Sequence, residues 1–468
     1  MFCQLEVLRH CLTPSIREQL NELPRSLDGT YKRVLREIQS MNQGRHARRL
    51  LHCLAVAFWP LCVEELAEVL AINLNVTKEE TPTFHLEWQW ENQEQAVLSA
   101  CFSFVSIVKS GDYRFIQFPH FLVKEYLTSD HLAAASNDIS QYHILPEPAH
   151  LMLVHACLGV LLHLDHCVNE GRGIDSGLED QEDIPLQEYA ANHWASHAQV
   201  RNILSHLKYG TETLFDPDKP FFLAWIKKYS LDDFTFWRSY ATSFTPIPLY
   251  YAALCGLYDL VQHLIVKHLE QVNHHGDRRG SPLVAALSEK HFQVGTLLVQ
   301  HSAHVNVHGD PPLCHTIRLP DYARVDAVHF LLEHGTHVNA REKNLQTPLH
   351  VAASVGCPQV IRILLDHRAD INLRDHHGQL PLHIVSTSTT FEGEIVVDKC
   401  YIVAQLLLQH CADMDAQNMC RETPLHSASY HGRLKISWLL LDYGANPCTE
   451  DEEGQSPLHH LLLGVSGV

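Results

Sequence analysis

The sequence predicts a mainly α protein: a helical segment and a winged-helix domain, followed by a solenoid of stacked helical hairpins. The first observation is a period. Seven prolines in the second half, each followed by leucine, are Pro248, Pro282, Pro312, Pro348, Pro381, Pro424 and Pro457, standing 34, 30, 36, 33, 43 and 33 residues apart. A spacing near 33 is the signature of helical repeats that stack. The second is the first half of the chain, where helical segments precede two alternating strands. The third is length, because 468 residues exceed what one hydrophobic core usually serves.

The repeat explains itself at Thr347-Pro348-Leu349-His350-Val351-Ala352-Ala353-Ser354-Val355-Gly356. Proline is preorganised for a first helical turn, and the preceding threonine can accept from an orphan backbone donor. The small Ala352 and Ala353 let a neighbouring helix approach, and Gly356 tolerates the left-handed conformation that ends a helix. A second helix follows, with Val360, Ile361, Ile363, Leu364 and Leu365 as its buried stripe. Ala369-Asp370-Ile371-Asn372 then turns the chain toward the next copy. One copy cannot bury both helices alone, so the copies must stack.

These strings resemble the ankyrin repeat, whose pattern runs Gly-x-Thr-Pro-Leu-His-x-Ala-Ala-x-x-Gly, an apolar helix, then Gly-Ala-x-Val-Asn. The match is clean from Gln346 to Asn372 and from Glu422 to Asn446. Elsewhere Tyr250, Val284 and Cys314 stand where the family has histidine. The fifth copy carries about ten additional residues around Thr387 to Asp398, expected to lengthen the connection before a helix at Tyr401 to Leu408.

In the first half, helices are expected at Ser15 to Leu20, Leu27 to Ser40, Arg45 to Ala57 and Val63 to Ile72. Phe104 to Val108 alternates, Ser110-Gly111-Asp112 makes a tight turn, and Tyr113 to Phe118 alternates back, a hairpin pattern. Phe121 to Tyr126 begins another helix. Helices followed by such a hairpin describe a winged helix. The expected organisation is a helical segment over 1–42, a winged helix over 43–135, a helical connector over 136–240 and about six to seven repeats over 241–468.

Four strings resemble the region between the NACHT domain and the ankyrin repeats of fungal NACHT-ankyrin signalling NTPases. They are Leu23-Pro24-Arg25-Ser26-Leu27-Asp28-Gly29-Thr30-Tyr31, Pro60-Leu61-Cys62-Val63-Glu64-Glu65-Leu66-Ala67, Phe118-Pro119-His120-Phe121-Leu122-Val123-Lys124-Glu125-Tyr126-Leu127 and Tyr189-Ala190-Ala191-Asn192-His193-Trp194. The resemblance implies a switch linked to nonself recognition, with the winged helix restraining the motor. The motor itself is missing from this sequence. A phosphate-cradling loop needs Gly-x-x-x-x-Gly-Lys-Ser/Thr, and none of the 22 glycines is followed by lysine.

Formal charge is −19, from 35 Lys and Arg against 54 Asp and Glu, which disfavours nonspecific contact with nucleic acid or an anionic membrane. Residues 44–135 hold seven basic and eleven acidic side chains, about −4 where a DNA-reading winged helix needs a basic face. The 14 cysteines include no Cys-x-x-Cys pair and suit a reducing, cytoplasmic location. The longest apolar stretch, Leu151 to Leu164, is too short to span a membrane. The 36 histidines would add roughly 27 positive charges by about pH 6. They are read as repeat-stabilising and surface groups.

No catalytic residue, cofactor, metal ligand or small-molecule substrate is nominated. No Gly-x-Ser-x-Gly elbow presents a nucleophile. His163, His166 and Cys167 share a helical face at zinc-compatible spacing and are read as part of a structural helix. The expected function is a non-catalytic scaffold binding a protein partner through the concave side of the repeats. Candidate contacts are Glu342, Lys343, Asn344, Asp375, His376, His377, Asn418, Met419 and Arg421 at the hairpin tips. The first helices add Ser354, Val355, Tyr430 and His431. Tyr430 and Met419 lead, because aromatic and flexible apolar groups are enriched in binding surfaces.

Overall fold

The computed structural model describes residues 27–41, 43–74, 80–135, 137–163, 184–200, 203–228, 247–276, 280–387 and 394–465. The expected helix at Ser15 to Leu20 lies outside them. The chain divides into two compact units, Met1–Pro248 and Leu249–Val468.

The first unit opens with α1 (Leu27–Ser40), α2 (Gly44–Val56) and α3 (Val63–Glu68). Helix α1 buries Tyr31, Val34, Leu35 and Ile38 on one face, the i, i+3, i+4, i+7 pattern of an amphipathic helix. Beyond α3 the chain makes a 3-10 turn over Val69–Ala71 and enters β1 (Ile72–Asn73), which pairs with β2 (Thr83–Phe84). The long helix expected to Ile72 therefore stops at Glu68. The β-branched Ile72 goes to a strand instead. After α4 (Gln93–Cys101), β3 (Ser106–Ser110) and β4 (Tyr113–Gln117) form the predicted hairpin. Its two-residue turn puts Gly111 at φ +61°, the conformation such a turn demands of its first residue.

An isolated bridge to the wing escaped the sequence reading. Cys62 bridges Phe115, and Ile116 donates to the Leu61 carbonyl at 2.9 Å. Arg114 on the wing is held by Glu94 at 2.7 Å and by Glu64. Helix α5 (Phe121–Leu127) follows, then α6 (Pro146–Leu161), α7 (Leu186–Ala198), α8 (Leu204–Leu214) and α9 (Pro220–Lys228). Trp194, Phe215 and Trp225 are fully buried, with Trp194 and Trp225 edge to face at 5.6 Å. The Trp225 indole N–H donates to the Ala191 carbonyl at 3.1 Å, which satisfies its one polar atom.

The second unit is a run of helix pairs. Each first helix starts at the recurring proline: α10 (Pro248–Leu254), α12 (Pro282–Ser288), α14 (Pro312–Ile317), α16 (Pro348–Val355), α18 (Pro381–Thr387), α20 (Pro424–Tyr430) and α22 (Pro457–Val465). The second helices are α11 (Tyr258–Lys267), α13 (Phe292–Gln300), α15 (Asp321–Glu333), α17 (Pro358–Asp366), α19 (Glu394–Gln409) and α21 (Leu434–Asp442). In α17, Val360, Ile361, Ile363 and Leu364 are buried and Leu365 is half-buried. Helix α16 ends at Gly356 with φ +68°.

Asparagine and aspartate side chains tie one copy to the next. Asn273 accepts from the His304 N–H at 2.7 Å, Asn306 from His337 at 2.7 Å and Asn339 from Asp370 at 2.9 Å. Asn372 accepts from Asp413 at 3.1 Å and Asp415 from Asn446 at 2.9 Å. The additional residues of the fifth copy sit between two of these rungs. Part of them extends α19 to 16 residues, against 9 in α17, so the helix begins well before Tyr401. Residues 388–393 lie outside the described set.

Candidate functional site

The hairpin tips are joined by main chain. Lys343 N–H donates to the Gly309 carbonyl at 3.1 Å, His376 to Asn344 at 3.0 Å, Met419 to His377 at 3.0 Å and Glu452 to Cys420 at 3.0 Å. Paired backbone leaves side chains as the variable part of this edge. Lys343, His376, His377, Met419 and Arg421 are exposed there, Met419 to 69%. The His376 and His377 rings lie 3.7 Å apart.

Other tip candidates have structural partners. Glu342 is half-buried and takes a bidentate pair from Arg318 at 2.6 and 2.8 Å. Asn344 is half-buried, its side-chain oxygen accepting from Gln346 N–H at 3.1 Å. Asp375 and Asn418, expected on the surface, are buried. Asp375 Oδ1 accepts from the N–H groups of His377 and Gln379, both at 2.9 Å. Asn418 Oδ1 does the same for Cys420 and Glu422, both at 2.9 Å. Their oxygens close the turn, because a buried backbone donor left alone costs more than an exposed side chain gains. A recurring signal was available: Asp375, Asn418 and Asp451 each stand six residues before their copy's proline.

On the first helices, Ser354, Tyr430 and His431 are exposed and Val355 is half-buried. Tyr430 meets the His460 ring edgewise at 6.0 Å. Trp438, in the apolar run of the second helix α21, is 66% exposed, beside Leu434 at 60%. An aromatic at helical spacing reads as core, and only the neighbouring copy decides otherwise.

The histidines of Thr-Pro-Leu-His face inward. His350 Nδ1 accepts from Thr347 N–H at 3.2 Å while its Nε2 reaches the Gln379 carbonyl at 3.0 Å. His383 and His426 reach Glu422 and Gln455 carbonyls at 3.2 and 3.1 Å. A carbonyl only accepts and an amide N–H only donates, so each ring is neutral and protonated on Nε2. Burial lowers all three pKa values, that of His383 to about 4. The fully buried His197, also lowered by burial to about 3, bonds Tyr189 at 2.8 Å and His150 at 2.7 Å.

One group with metal-ligand chemistry stands out among the described residues. His275 Nε2 is 3.1 Å from Asp310 Oδ2, and His315 Nε2 is 2.5 Å from Asp310 Oδ1. Of the triplet considered from sequence, His163 packs on Phe84 at 5.1 Å, and His166 and Cys167 lie outside the described residues. No described helix is long and apolar enough to cross a membrane.

Comparison with known families agrees with this architecture. Residues 249–342 and 394–464 match "Ankyrin repeats (3 copies)", and residues 331–385 match "Ankyrin repeats (many copies)". Residues 35–137 match "GPI inositol-deacylase, winged helix domain". No curated protein matches the chain. The chain is a mainly helical ankyrin-repeat protein that carries a winged helix domain, similar to that of GPI inositol-deacylase, before its repeats.

Proposed function

We propose that this chain is a non-catalytic scaffold whose ankyrin repeats bind a protein partner through their hairpin tips and first helices. The observation that carries the reading is the exposed set Lys343, His376, His377, Met419, Arg421, Tyr430 and His431 on tips whose backbone is already paired. The set combines an aromatic, a flexible apolar group and cations, as binding surfaces do. Glu342, Asn344, Asp375 and Asn418 support the tips, while Ser354 and Val355 flank them. The setting is cytoplasmic, and no nucleic acid, membrane, cofactor or small-molecule substrate enters the reading.

The test is affinity capture from source cells with the full chain, comparing wild type with a Met419→Asp/Tyr430→Ala variant of unchanged melting temperature. The expected result is a protein held by wild type and weakened at least about tenfold in the variant. Equal retention by both chains would overturn the assignment of this surface.

A second reading makes the first unit the regulatory connector of a NACHT-type switch, favoured by the winged-helix match over residues 35–137. It expects nucleotide state to alter partner affinity in the native protein. Nucleic-acid binding ranks below both. Helix α4 in the winged helix, Gln93–Cys101, carries Glu94 and no lysine or arginine, and Arg114 on the wing is neutralised by Glu64 and Glu94.

A further inference from the structure

We infer that His275, Asp310 and His315 form a binding site for a divalent transition-metal ion, zinc by its ligand chemistry, which staples two adjacent repeats. Two imidazoles and one carboxylate suit zinc, which accepts three protein ligands and a water in tetrahedral array. With bonds near 2.0–2.2 Å, ligand atoms around such an ion sit about 3.4 Å apart. Here the three candidate ligand atoms lie within 4.8 Å of one another. The two His–Asp separations, 3.1 and 2.5 Å, need to open by no more than about 1 Å to admit the ion. His275 is exposed and can make that adjustment.

The surroundings orient the donors. His275 Nδ1 lies 3.4 Å from the Gly276 carbonyl, so donation from Nδ1 leaves the Nε2 lone pair for the ion, the usual outer support of a metal-bound histidine. The His315 ring lies over Gly280, where an added Cβ would stand 3.7 Å from the ring.

The site also falls where the histidine-to-carbonyl bond of later copies has no equivalent residue. In later copies His350, His383 and His426 reach across to the next hairpin's carbonyl. In the copies begun by Pro282 and Pro312 that histidine is replaced by Val284 and Cys314. His275 stands seven residues before Pro282, as Arg374 stands before Pro381. Arg374 spans to the next tip by bonding the Gln417 carbonyl at 2.5 Å. An ion held by His275, Asp310 and His315 would make the equivalent connection.

The test uses the full chain stripped of metal by chelation, titrated with zinc chloride by calorimetry and followed by thermal melting. The expected result is a one-to-one site whose occupancy raises the melting temperature. His275→Ala and Asp310→Asn should each weaken that site at least about tenfold and abolish the melting shift. The exposed neighbour His274→Ala should leave both unchanged. Because His275 is exposed, its removal tests the site without threatening the fold. Zinc bound equally well by wild type and His275→Ala would place the ion elsewhere among the 36 histidines and overturn the assignment. So would the absence of a one-to-one site in wild type.

Discussion

The Nε2–H of His350 donates to the main-chain carbonyl of Gln379, 3.0 Å away in the following repeat. The same ring accepts at Nδ1 from Thr347, so one buried side chain caps its own helix and fastens its neighbour. His350→Ala removes both bonds, leaving the buried Thr347 N–H without its partner and the Gln379 carbonyl with only the Asp375 N–H at 3.0 Å. It should cost about 2 kcal/mol. His459 makes the same cap with Ser456 at 3.1 Å but is exposed, and His459→Ala should cost about 1 kcal/mol or less. Denaturant melts of the two variants decide; equal losses would mean that the inter-repeat bond contributes nothing.

Acid should loosen the repeats before most carboxylates titrate. His383 is held neutral by burial, its pKa falling from 6.5 to about 4. The unfolded chain therefore binds this proton first as pH drops. Stability from this group is fully present above pH 6.5 and is lost progressively down to about pH 4, on the order of 3 kcal/mol. His350 and His426 shift in the same direction. Melting temperature followed from pH 7 to 4 should fall, and His383→Gln should flatten part of that slope. A parallel slope in the variant would remove His383 as the cause.

Gly378→Ala should destabilise the tip before Pro381. Gly378 has φ +72°, and an added Cβ would lie 3.1 Å from the Met419 backbone nitrogen. The left-handed backbone alone disfavours a side chain by roughly 1–2 kcal/mol, and the contact would strain the Met419 to His377 bond. A lowered melting temperature is expected, with faster amide exchange at Met419. Wild-type exchange there would argue that the neighbouring tip does not feel the change.

Asp375→Ala opens the turn that Asp375 Oδ1 closes and should cost about 1–2 kcal/mol. Lys343→Ala, at an exposed tip position, should stay within about 0.5 kcal/mol. The paired melts separate turn-forming from free positions on the same edge.

Much of this molecule could be read before its coordinates. The proline-leucine period located every first helix from Pro248 to Pro457, because proline before an apolar run has few other uses. The hairpin at β3 and β4 followed from alternation around Gly111. Less legible was what depends on a neighbour. Polar residues at a turn look alike whether they face water or their own backbone, and only the recurrence of Asp375, Asn418 and Asp451 six residues before their prolines sets them apart from Lys343. Trp438 has the spacing of a core residue and lies exposed. His275, Asp310 and His315 belong to no motif, and only the stacking of two copies brings them together. The bridge at Cys62 is a single residue pair and shows no alternation at all.

The rungs that flank the fifth copy have a last consequence. Asn372 and Asp413 bond across 41 positions, where Asn339 and Asp370 bond across 31, and the distances differ by little, 3.1 against 2.9 Å. The inter-repeat bond therefore forms whether 31 or 41 positions separate its partners. The same rung closes with ten more residues between its partners, which makes the fifth copy the natural port for a grafted peptide or a reporter.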